Sequence, residues 1–125
     1  MPSLVVIEGQ SQGKHFPLAQ ALISVGRDDT CTFQILDTQV SRKHLQVRLD
    51  QKSGRHFAGD YRSANGVFIN GHLMNLETPL NDGDSIRIGQ TTLIYLADDT
   101  LDPKSALEVA RKKDEWKRST IMQRE

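Results

Sequence analysis

The chain has 125 residues, of which 37% are apolar and 26% charged, and its 16 basic side chains are matched by 16 acidic ones. That length suits one domain around one core, and the composition fits neither a disordered nor a membrane-embedded chain. A formal charge of zero removes the electrostatic ground for strong nucleic-acid binding, and one cysteine, Cys31, excludes an internal disulfide and makes a poor start for a zinc site.

Short apolar runs recur along the chain, separated by turn residues. Leu4-Val5-Val6-Ile7 comes first, ahead of Gly9 and Gly13. His15-Phe16-Pro17-Leu18, Ala21-Leu22-Ile23-Ser24-Val25 and Thr32-Phe33-Gln34-Ile35 follow. In His44-Leu45-Gln46-Val47-Arg48-Leu49, Leu45 and Val47 share one face and Gln46 and Arg48 the other, as a strand requires. Next come His56-Phe57-Ala58, Val67-Phe68-Ile69, Ser85-Ile86-Arg87-Ile88 and Thr92-Leu93-Ile94-Tyr95-Leu96. Ser53-Gly54, Asn65-Gly66, Asn70-Gly71 and Asp82-Gly83 mark turns, and Asn70-Gly71 between two apolar runs predicts a hairpin. Many short strands without intervening helices predict an all-β sandwich or barrel.

The pattern changes after Leu96. Asp102-Pro103 is a helix start, and Lys104 to Arg118 is rich in Ala, Lys, Arg and Glu. Ala106, Val109, Ala110 and Trp116 make a weak apolar stripe, which predicts a solvent-exposed, partly frayed helix or a linker. Residues 1–98 are therefore read as one β domain and 99–125 as a helical tail. The lone thiol fits a reducing compartment, no charged-then-apolar leader is evident, and Leu4 to Ile7 is too short to cross a bilayer. A cytoplasmic protein is expected, or a nuclear one in a eukaryote, without membrane or nucleic-acid partners.

Three separated clusters stand out: Gly26-Arg27, Ser41-Arg42-Lys43-His44, and Asp60 to Gly71 with its Ser63-Ala64-Asn65-Gly66 core. A phosphate dianion needs several converging donors. Arg27 and Arg42 offer planar forks of N–H groups, and Ser41 a hydroxyl. Charge-assisted bonds contribute about 1.5–3 kcal/mol each. Two or three of them separate phosphorylated from unphosphorylated ligands by roughly 100-fold or more.

In order and spacing the clusters, with Leu80 to Asp84 and Ile86-Arg87-Ile88-Gly89 behind them, resemble the forkhead-associated (FHA) family over residues 4–96. The resemblance implies a β-sandwich of about eleven strands followed here by the helical tail. It also implies a non-catalytic module binding a phosphothreonine-containing protein, with a Ser/Thr protein kinase or its substrate as partner and no metal or cofactor. By the same resemblance Arg27, Ser41 and Arg42 contact phosphate, and Asn65 holds the peptide main chain. His44 ties the loops together, and Gly26 and Gly66 meet backbone requirements. The position three after the phosphothreonine would be read near the loop following Asn65. Ala64 stands where many members have Thr, which weakens the phosphate contact unless Ser63 compensates; Val67 likewise replaces a common Thr.

Other readings of the same residues carry less. Ser41 and His44 as nucleophile and base lack a third orienting residue and a G-x-S-x-G elbow. His15, His56 and His72 are without ligand-like spacing, and Asn81-Asp82-Gly83-Asp84 lacks the glutamate of a calcium loop. Gly9 to Gly13 lacks the Gly-Lys-Ser/Thr of a nucleotide loop. A phosphate-independent scaffold or oligomerisation domain of the same fold is the alternative that Ala64 leaves open. Thr120, just after Arg118, is a kinase-compatible threonine that, once phosphorylated, would be a ligand for this or another copy.

Overall fold

The computed structural model describes residues 1–98 and 101–123, with side chains up to Trp116. Among these residues eleven strands form two sheets. They are β1 (Ser3–Glu8), β2 (His15–Pro17), β3 (Leu22–Gly26), β4 (Phe33–Gln34), β5 (Leu45–Asp50), β6 (Arg55–Asp60), β7 (Phe68–Ile69), β8 (His72–Leu73), β9 (Thr78–Pro79), β10 (Ser85–Ile88) and β11 (Thr91–Leu96). The first sheet runs β2-β1-β11-β10-β7-β8 and the second β4-β3-β5-β6-β9. Neighbours are antiparallel except β3 and β4, which pair in parallel through Val25↔Phe33 and Gly26↔Gln34. Of the run Thr32 to Ile35 only Phe33 and Gln34 count as strand, and Ile35 beyond them is buried in the core with its N–H on the Gly26 carbonyl at 2.7 Å.

The alternation read from the sequence sets the core. Ile23 and Val25 of β3, Leu45 and Val47 of β5, and Ile86 and Ile88 of β10 all point between the sheets and are buried. The predicted hairpin forms as β7 and β8. Asn70 and Gly71 both take positive φ, 51° and 84°, the backbone of a type I′ turn. The Asn70 side chain then accepts from the Ser85 N–H at 3.0 Å and donates to Asp84 at 3.0 Å, fixing the hairpin to the end of β10.

The helix departs from expectation. Helix α1 (Pro103–Gln123) is not a solvent-exposed tail, because Ala106 and Ala110 are fully buried against the outer face of β1 and β11. There they meet Val5, Ile7, Ile94 and Leu96, with Leu107 and Val109 at the margin. This second core explains the uninterrupted apolar runs of β1 and β11: Leu4, Val6, Leu93 and Tyr95 face the sandwich, and the residues between them face the helix. Two alanines one turn apart present little apolar area, yet their lack of bulk lets the helix backbone settle close to the sheet. Asp102 caps the helix by accepting from the Ser105 N–H at 2.7 Å, and Lys113 pairs with Asp82. The side chain of Thr120 lies outside the described residues.

Within the sandwich, His56 of β6 reaches Tyr95 of β11, with Nδ1 3.0 Å from the phenol oxygen. Its Nε2 is buried without a hydrogen-bond partner among the described residues. Burial holds the imidazole below its ordinary pKa and pushes the Tyr95 phenol up.

Candidate functional site

The site is assembled where β3 ends. A Cβ on Gly26 would lie 2.2 Å from the Arg42 carbonyl oxygen, so glycine alone lets the strand press against the 42–43 backbone. That approach aligns two main-chain bonds, from Arg27 N–H to Ser41 O at 3.0 Å and from Asp28 N–H to Arg42 O at 3.1 Å. The Arg27 side chain crosses in the same direction, its Nε donating to the Val40 carbonyl at 3.0 Å. With Nε fixed, the plane of the guanidinium is set, and its terminal nitrogens have no partner among the described residues. Arg27 and Arg42 line one shallow depression of about 310 Å3, together with Gln34, Asp28 and Asp29. The Asp28 carboxylate is engaged locally, accepting from Thr30 N–H at 3.1 Å, and that bond holds its pKa below the ordinary value. Cys31 is buried beneath, donating its thiol to the Arg42 carbonyl at 3.1 Å, and burial pushes the thiol pKa up.

His44 joins this loop to the next. Its fully buried ring accepts the Ser41 N–H at Nδ1, 3.0 Å, and donates from Nε2 to the Gly66 carbonyl at 2.7 Å. Those partners fix the neutral tautomer with the proton on Nε2. The Ser41 hydroxyl oxygen accepts from the Ala64 N–H at 3.0 Å and keeps its own proton to donate. Ser63 works within its loop: its N–H donates to Asp60 at 2.8 Å and its hydroxyl oxygen accepts from Gly66 N–H at 3.0 Å. Asn65, an exposed residue, donates its side-chain amide to the Gln39 carbonyl at 2.8 Å, and its own side-chain oxygen has no partner among the described residues.

All eight predicted residues therefore belong to one continuous network. Arg27, Arg42, Ser41, Ser63 and Asn65 carry side-chain donors or acceptors not used up within it, and Gly26, His44 and Gly66 hold the loops from within. The Ser63 hydroxyl, expected to compensate for Ala64, accepts from Gly66 N–H and, like that of Ser41, keeps its own proton.

Sequence reasoning missed Asp37. Its buried carboxylate accepts from Gln39 N–H at 2.9 Å, Gln90 N–H at 2.8 Å and the Thr91 hydroxyl at 2.9 Å, so it clamps the loop that carries Val40 and Ser41 to the β10–β11 turn. Although burial pushes the carboxyl up, these donors hold its pKa below the ordinary value. The only signal in the sequence was Asp37-Thr38-Gln39 as an Asx turn.

The sequence profile described as FHA domain matches residues 23–89, a stretch that contains every residue of this network named above except Thr91 and Gln90. The chain belongs to the FHA family. Among relatives of this FHA domain, the oxoglutarate dehydrogenase inhibitor of Corynebacterium glutamicum is 33% identical over 94 residues, 75% of this chain and 64% of its own length. The glycogen accumulation regulator GarA of Mycobacterium tuberculosis is 33% identical over 93 residues, 74% of this chain and 56% of its own length. The chain thus spans less than two thirds of either relative. A solved structure from an analysis of phosphothreonine-dependent FHA domain interactions superposes with a TM-score of 0.69 at 30% identity, covering 78% of this chain and 97% of that one. The family match ends before α1 begins, so the helix that braces β1 and β11 lies outside the residues the profile matches.

Proposed function

We propose that this FHA domain binds a phosphothreonine-bearing segment of a partner protein and performs no catalysis. The observation that carries the proposal is the pair of guanidinium groups, Arg27 and Arg42, brought from two loops to one depression without an ion pair among the described residues. Arg27 grips the phosphate through its two terminal nitrogens, Arg42 adds a second charge, and Ser41 donates its free hydroxyl proton. Asn65 uses its side-chain carbonyl on the ligand main chain while Gln39 holds its amide. Ser63, in place of the absent Thr at 64, has a hydroxyl proton left to donate to the ligand, and His44, Gly26 and Gly66 keep these groups in place.

Acid–base catalysis by a Ser41–His44 pair finds no support. Both ring nitrogens are spent on main-chain groups, and Nδ1 takes the Ser41 amide rather than its hydroxyl. The relative studied for phosphothreonine-dependent interactions supports the ligand class. A Ser/Thr kinase or its substrate fits as partner, since such a kinase writes the mark that Arg27 and Ser41 read. Residues 1–98 carry the binding, and the helical part of 99–125 braces the sheet behind it. A buried thiol at Cys31 suits the cytoplasm.

The test is a titration of matched phosphothreonine, phosphoserine and unphosphorylated peptide pools. Loss of phosphate should weaken binding roughly 100-fold. Equal affinity for phosphorylated and unphosphorylated pools would instead favour a phosphate-independent scaffold.

A further inference from the structure

A cleft of about 560 Å3 begins at the loops just described. Gln39 and Asn65, joined by their 2.8 Å hydrogen bond, line one end of it. The cleft then runs onto the outer face of the first sheet. There Phe68 on β7, Arg87 on β10, Thr92 on β11 and Glu8 on β1 lie side by side in register. Helix α1 covers this face only over Val5, Ile7, Ile94 and Leu96, and Arg87 remains exposed.

Arg87 is prepared in the same way as Arg27. Its Nε donates to the Gly89 carbonyl at 3.2 Å, which fixes the guanidinium plane, and its terminal nitrogens have no partner among the described residues. The aromatic ring of Phe68 stands beside it as the cross-strand neighbour, ready to take the apolar stem of a ligand side chain. Glu8 lies two strands away, about 10 Å by strand spacing, so of the two charged residues lining the cleft Arg87 is the one beside β7.

We propose that Arg87 is a specificity-determining residue: it pairs with an acidic side chain on the segment flanking the phosphothreonine, laid along this cleft. The proposal rests on the phosphothreonine reading. Continuity argues for this occupant, because a chain held at Asn65 must continue somewhere, and the cleft opens there. Reach agrees: an extended chain advances about 3.3 Å per residue, so three or four residues span about 10–13 Å, enough to pass from Asn65 over β7 to β10.

The experiment uses the 125-residue protein and a phosphothreonine peptide library degenerate at five positions on each side, beside the same library without phosphate. Parent protein should enrich Asp and Glu about 2- to 5-fold at one flanking position. Arg87→Gln should flatten that enrichment, and Arg87→Glu should replace it with Lys and Arg at the same position. Both variants should keep the parent's preference for the phosphorylated library and its thermal unfolding midpoint. No acidic enrichment, or one that persists in Arg87→Glu, overturns the role of Arg87 while leaving the phosphate reading intact. Equal retention of the two libraries by the parent overturns both.

Discussion

The loop end of the sandwich and its helix-covered face are built from opposite materials. At the loop end, order comes from directional polar bonds: Arg27 to Val40, Ser41 to His44, His44 to Gly66, Ala64 to Ser41, Asn65 to Gln39. On the other face, Ala106 and Ala110 against Val5, Ile7, Ile94 and Leu96 hold by apolar contact. Directional bonds fix atoms to a few tenths of an ångström but contribute only about 1 kcal/mol each, whereas apolar burial is tolerant of position and stabilises in proportion to area. The molecule thus separates the part that needs geometry from the part that supplies stability.

Substitutions test that separation. The largest effect should come from His44→Ala, which breaks it. Removing a fully buried ring leaves a cavity and strands the Ser41 N–H and Gly66 carbonyl, so stability should fall by about 3 kcal/mol or more and phosphopeptide binding with it. Denaturant unfolding and a binding titration on the same sample check both. Arg27→Ala should sharpen the contrast, losing roughly 100-fold in phosphopeptide affinity with an unchanged unfolding midpoint, because an exposed arginine contributes little to the core. Ala106→Glu should do the reverse. A carboxylate cannot stay in that contact, so the docked turn detaches at a cost of about 2 kcal/mol, while affinity for a phosphothreonine peptide stays within about 2-fold.

Asp37→Asn should be milder and mixed. One amide cannot accept all three bonds, so about 1 kcal/mol of stability and about 5-fold in affinity are expected to go together. The smallest effect is a pH slope from the interior. Burial lowers the pKa of His56 below its ordinary value of 6.5, so the unfolded chain takes up the proton first. Stability is therefore full above about pH 6.5 and declines as pH falls toward the folded-state pKa, by at most about 1.4 kcal/mol per unit. His56→Phe should flatten that slope between pH 7 and 5 in thermal melts, leaving the loop end untouched.

How much was legible in the sequence follows the same division. Strands with one face buried, such as Leu45 to Leu49 and Ser85 to Ile88, announced themselves by period two, and Asn70-Gly71 gave the hairpin because its backbone angles demand those residues. Residue type marked Arg27, Ser41 and Arg42 as phosphate donors, the resemblance to the FHA family added Asn65, and the fold brings the four into one network. The docking of α1 was not legible: alanine adds little to an apolar stripe, and the surface it needs lies on β1, about a hundred residues earlier in the chain. Nor was the clamp by Asp37, whose bonds to Gln90 and Thr91 span 53 and 54 residues. Gln39 escaped for another reason, since it acts through a main-chain carbonyl that any residue carries.

The ring of His44, fastened at both nitrogens, has a kinetic consequence. The loops bearing Ser41 and Gly66 are ordered before any partner arrives, so the entropy lost on association falls chiefly on the incoming peptide. Partners of differing sequence should then arrive at similar rates and differ in how long they stay, and residence time rather than encounter becomes the quantity through which this protein tells them apart.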